Sequence, residues 1–137
     1  MGVTNLDAVT TNEGALHPEH YEILHFYIAG VQSVGAKKNG AVIPFAGTIV
    51  DVRAHVDTAP ATTSIILDLL KNGASLYTTT GNRPTIAAAL NDSTTLLPDT
   101  VAVAAGDRLT FDVLQIGTGT VGSDLYFSVT LKRSNVA

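Results

Sequence analysis

The chain has 137 residues, with eight Lys and Arg against twelve Asp and Glu, a formal net charge of −4 and no cysteine. The few, scattered cations argue against a phosphate-neutralising nucleic-acid surface, and the missing cysteines exclude disulfides and thiolate metal centres. Charged residues are only 15% of the chain and hydrophobic ones 45%, which suits one domain with a sizeable core, either a compact neutral monomer or a body whose surface is partly covered by other subunits.

No apolar run approaches the roughly 18 residues that read as a membrane span, and the N-terminus lacks a basic region followed by an apolar core. Neither nucleic acid nor membrane is therefore expected as a partner.

The first stretch, 1–20, is rich in Thr, Asn and Gly, with isolated apolar residues at Val3, Leu6, Val9 and Leu16. It shows no periodicity, so it reads either as a disordered tail or as an arm that orders against a neighbouring subunit through those four side chains. Residues 21–137 read as the folded domain. Tyr21 to Val31, YEILHFYIAGV, is a long strand with apolar residues at both even and odd positions, which implies burial on both faces or contact with a partner. Ser33 to Gly40 reads as a polar turn containing Asn39-Gly40, and Ala41 to Phe45 as a short edge piece ended by Pro44.

Gly47 to Asp57, GTIVDVRAHVD, alternates most cleanly. Thr48, Val50, Val52, Ala54 and Val56 are expected on the buried face, and Asp51, Arg53, His55 and Asp57 on a solvated one. Ser64 to Tyr77, SIILDLLKNGASLY, organises the rest. Two apolar runs flank Asn72-Gly73, the pair that a type I′ hairpin turn requires because both central residues need φ > 0. The leucines would also suit a helix, but Ile65-Ile66 and the Thr-rich flanks favour strands.

Beyond Tyr77 the chain is irregular, and TIAAAL at Thr85 to Leu90 fits a strand or a helical turn equally. Thr100 to Val103 is a short strand before the turn Ala105-Gly106-Asp107. Arg108 to Ile116 is another strand, with Leu109, Phe111, Val113 and Gln115 on one side. A Gly-rich loop at Gly117 to Gly122 precedes the last strand, Asp124 to Lys132. About eight short strands with turn residues between them predict an all-β fold, an antiparallel sandwich of the jelly-roll kind.

The chemistry-bearing patterns each have a plainer explanation. Gly117-Thr-Gly-Thr-Val-Gly122 matches GxGxxG, yet a dinucleotide site needs a helix next and SDLYFSVTLKR alternates like a strand. His17-Pro18-Glu19-His20 offers two imidazoles, but Pro18 breaks any helix that would align them, and three or four converging ligands are wanted for zinc. His55 with Asp51, Arg53 and Asp57 reads as a salt-laced outer face. No nucleophile elbow is present. Neither catalytic residues nor cofactor or metal ligands are assigned. Tyr21, Tyr27, Tyr77 and Tyr126 could form a sugar platform, but each reads more simply as strand packing with its polar tip at the surface.

From Ile43 to Arg133 the chain resembles a module of tailed-bacteriophage structural proteins. The resemblance rests on Pro44-Phe45, the IVDVRAHV strand, DLLKNG at Asp68 to Gly73, RPTI at Arg83 to Ile86 and AGDxLT at Ala105 to Thr110. It implies a β-sandwich that serves assembly rather than catalysis. One module with a short arm is similar to capsid decoration proteins, which sit as trimers on the head. The resemblance thus implies a homotrimer bound to the major capsid protein, made in the host cytoplasm and ending in the virion. Val3, Leu6, Val9, Leu16, Tyr21 and Tyr27 are the candidate partner contacts. The other functional class it allows is a tail-associated receptor- or glycan-binding module.

Overall fold

The computed structural model describes residues 20–134, without the side chains of 37–39. Nine strands occur among them: β1 (Tyr21–Val31), β2 (Gly35–Val42), β3 (Gly47–Thr58), β4 (Ile65–Lys71), β5 (Ala74–Ser75), β6 (Thr85–Ile86), β7 (Ala102–Val103), β8 (Arg108–Gln115) and β9 (Ser123–Arg133). No helix among the described residues is long and apolar enough to cross a membrane.

The strands form two antiparallel sheets. One has the order β1-β9-β3-β7; the other runs β2-β8-β4-β5, with β6 also paired to β4. Successive strands β1, β2, β3 and β4 alternate between the sheets, and β7, β8 and β9 do the same on the return. That interleaving is the winding of a jelly roll, as the strand pattern predicts.

Alternation builds the core. Leu125, Phe127, Val129 and Leu131 of β9 point inward, as do Leu109, Phe111 and Val113 of β8, and all seven are buried. Phe26 from β1 and Phe127 meet Phe111 from the opposite sheet, with ring centroids 5.5 Å and 4.9 Å from the Phe111 ring. This aromatic cluster ties the two layers together.

The organising hairpin forms as expected. Asn72 and Gly73 both have positive φ, 52° and 88°, and Leu70 pairs with Ser75 around them. Elsewhere the structure corrects the sequence reading. β1 is not buried on both faces: Phe26 is buried with Leu24 and Ile28 packed on the core, whereas Tyr21, Ile23 and Tyr27 face outward. The strand lies at a sheet edge, so only its inner side meets the core.

The stretch taken as a polar turn, Ser33 to Gly40, is largely strand β2. It pairs with β8 through a register shift between Ala36 and Gly40. A polar sequence suits an edge strand, where an apolar one would invite further pairing.

In β3 the buried set is Ile49, Val52, Ala54 and Val56, while Val50 is exposed. A bulge between Ile49 and Asp51 inserts one extra residue against β9, so alternation restarts out of phase and Thr48 and Val50 leave the core face. Gln115 is likewise exposed rather than inward, beside a register shift opposite Ile66 and Leu67. Thr85-Ile86 is strand, and Tyr77 is buried, its hydroxyl donating to the Leu96 carbonyl at 2.9 Å.

Candidate functional site

The stretches Pro44-Phe45, IVDVRAHV, DLLKNG, RPTI and AGDxLT are mostly fold-building. The β4–β5 turn is fastened to the turn before β8: Asn72 Nδ2 donates to Asp107 (3.0 Å), and the Arg108 amide donates to Asn72 Oδ1 (2.9 Å). Gly106 has φ of 91°, and the Asp107 carboxylate also accepts the Ala104 amide. Those amide and amide-side-chain bonds hold the Asp107 carboxyl below its ordinary pKa.

Arg83 reaches Asp68 at 3.6 Å, while the Leu67 amide donates to the Pro84 carbonyl at 2.9 Å. The Phe45 ring meets the His20 ring edge-to-face, centroids 5.4 Å apart, and the Arg133 guanidinium lies over it, 5.6 Å from its centroid. The GxGxxG loop is a clasp as well. Thr118 donates to the Ala61 carbonyl at 2.9 Å and Ala61 to the Thr120 carbonyl at 2.7 Å, and strand β9 follows at once.

Only β3 among those stretches contributes to the surface that draws attention, the outer face of the β1-β9-β3 sheet. Register fixes which side chains stand abreast there. Tyr27 pairs with Tyr126, and Tyr126 with His55; in the next outward-facing row His25 pairs with Ser128, and Ser128 with Arg53. Rows two residues apart lie about 7 Å apart along a strand. Toward the other end stand Tyr21 and Ile23 on β1, Lys132 and Thr130 on β9, and Val50 beside Asp51 on β3.

The face therefore has two unlike halves. The first is apolar at its flanks: Tyr21 and Ile23 are each 49% exposed and Val50 is 36% exposed. The second is aromatic and polar. The Tyr27 and Tyr126 ring centroids lie 4.8 Å apart at a 39° tilt, and the His55 ring lies 6.0 Å from Tyr126. Their hydroxyls are held at the rim, Tyr27 donating to Asp124 (3.1 Å) and Tyr126 to Asp57 (3.2 Å). Partial desolvation, together with those carboxylates, raises both phenol pKa values.

His55 Nδ1 stands 2.8 Å from Asp92, and Nε2 stands 3.5 Å from Asp57. Arg53 is bonded to Asp51 at 2.7 Å. The salt-laced face expected from β3 is thus present, with one member the sequence did not point to. Asp92 arrives on a segment stitched to β3: the Val56 amide donates to the Asn91 carbonyl, the Ser93 amide to the Ala54 carbonyl, and Ser93 Oγ accepts from the Ala54 amide. A shallow depression of about 330 Å³ results, lined by His25, Tyr27, Arg53, His55, Asp92 and Tyr126 among others.

Of the candidate contact residues, Tyr21 and Tyr27 share this outer face, one in each half. Val3, Leu6, Val9 and Leu16 lie outside the described residues, as does His17. Ile23, Val50 and Asp92 were missed. Ile23 carries the same alternation signal as Tyr21, whereas nothing in the local sequence marks Val50 as displaced or Asp92 as neighbouring His55. The chain matches no protein-family model, and a comparison with curated proteins finds no match.

Proposed function

We propose that this chain is a non-enzymatic structural protein of a tailed-bacteriophage virion, acting as a decoration protein that docks on the major capsid protein and strengthens the shell. The observation that carries this reading is the set of exposed apolar side chains Tyr21, Ile23 and Val50 at the flanks of one half of the outer sheet face, on β1 and β3 either side of β9. Such residues are costly to leave in water and gain when a partner covers them. The resemblance of Ile43 to Arg133 to phage modules supports the same assignment, as does the low share of charged residues.

Four of those five stretches build the scaffold away from the outer face, and the IVDVRAHV strand alone reaches it, supplying Val50. In this reading the protein acts as a homotrimer, and docking across capsomer boundaries couples shell stability to its binding. The test is labelling of intact particles with an antibody to the chain. Label spread over the head supports the proposal; label confined to the tail, or absent from particles, refutes it.

A further inference from the structure

We propose that the depression around Tyr27 and Tyr126 is a binding site for a neutral saccharide, a function separate from head docking and located in the other half of the face. A sugar ring presents C–H bonds on its faces and hydroxyls around its rim. A complementary site therefore offers aromatic surface beside side chains that both accept and donate hydrogen bonds.

The depression has that composition in a preset geometry. Tyr27 and Tyr126 are 48% and 43% exposed, their rings placed side by side by the β1–β9 pairing and their hydroxyls bonded to Asp124 and Asp57. His55, Asp92 and Arg53 supply polar groups at the margin, with Asp92 on an exposed side chain. Because these residues project from paired strands and a segment bonded to β3, little ordering is required when a ligand arrives. The volume of about 330 Å³ is at the small end of ligand sites, which run from about 300 to 1,000 Å³.

Charge selects the class of sugar. Asp57, Asp92 and Asp124 surround the site, and Arg53, its Lys/Arg cation, is already bonded to Asp51. An anionic sugar such as a sialic or uronic acid would meet this excess of carboxylate, whereas vicinal hydroxyls of a neutral hexose would donate to it.

The full chain is screened on a glycan array, and binding to the best neutral oligosaccharide and to sialyllactose is then titrated by NMR. The expected result is neutral binding that falls roughly tenfold or more in Tyr126→Ala and in Asp92→Ala, and is largely kept in Tyr126→Phe, which retains the ring. Asp92→Ala alters an exposed side chain and keeps the test valid if Tyr126→Ala does not fold. No neutral glycan bound at millimolar concentration, preference for the anionic sugar, or binding indifferent to Asp92→Ala would each overturn the proposal. The last outcome would leave the cluster as a solvated ion-paired surface.

Discussion

The Asp68 carboxylate stands 3.6 Å from the Arg83 guanidinium and accepts the Ser75 hydroxyl at 2.8 Å, although Asp68 is only 5% exposed. The stretches DLLKNG and RPTI therefore meet through a largely buried ion pair. Removing one partner leaves a charge without compensation. Arg83→Ala is expected to lower unfolding stability by about 3 kcal/mol, near the low end of the buried-pair range because Arg83 keeps some exposure. Denaturant melts check this, and a loss below about 1 kcal/mol would mean that Ser75 alone satisfies Asp68.

A second prediction concerns the β4–β5 turn, which is bonded to Asp107 and Arg108 at the start of β8. Asn72→Ala forces an ordinary side chain to φ of 52° and removes the bonds to Asp107 and Arg108. A cost of about 2 kcal/mol is expected. Asn72→Gly relieves the backbone but still loses those bonds, so it should cost less. Thermal melts of the two variants separate strain from hydrogen bonding.

Phe111 stacks on Phe127 and touches Phe26 across the sandwich with no exposed surface. Phe111→Ala should cost about 3–5 kcal/mol through lost burial and the cavity left behind. Phe111→Leu should recover a good part of that cost, as measured by the same melts.

Acid stability follows from two carboxylates. Asp99 accepts bonds from the Thr79 amide and hydroxyl and from the Thr78 hydroxyl, which lower its pKa; Asp107 is lowered by the Ala104 amide and then by Asn72. A depressed folded-state pKa contributes stability that is fully present above the unfolded value of about 3.9 and is lost as pH falls through the folded one. Stability should therefore decline below about pH 4. Asp99→Asn and Asp107→Asn should each flatten that decline while lowering stability at neutral pH. Asp112 acts with the opposite sign, since burial and then the Asp68 charge raise its pKa. Asp112→Asn is expected to be neutral or stabilising at pH 7, and urea midpoints from pH 2.5 to 7 test all three variants.

Much of the fold could be read from the residues because strand and turn chemistry agree locally. The period of two in β8 and β9, the Asn72-Gly73 turn and the Gly106 turn each specify their own conformation. What could not be read depends on pairing between distant strands. The sequence alternates cleanly from Val50 to Val56, but Ile49 and Val50 are adjacent apolar residues and nothing local shows which of them is buried; the register against Leu131 and Thr130 decides it. Composition makes β2 look like a loop because an edge strand needs few apolar residues.

The candidate site was half legible for the same reason. Tyr21 and Tyr27 are six residues apart on one strand, so alternation places them on one face. Tyr126 and His55 join Tyr27 only through the strand order β1-β9-β3, and Asp92 only through a segment 37 residues beyond His55. No periodicity encodes such a meeting.

The most direct measurement is cosedimentation of purified chain with phage heads from which it has been stripped, comparing wild type with the Ile23→Asp/Val50→Asp variant. Both sites are exposed, so the variant should fold, as circular dichroism would verify. The account predicts saturable wild-type binding and a variant left in the supernatant. Equal occupancy of the two proteins, or a wild type that does not sediment with heads, would contradict it.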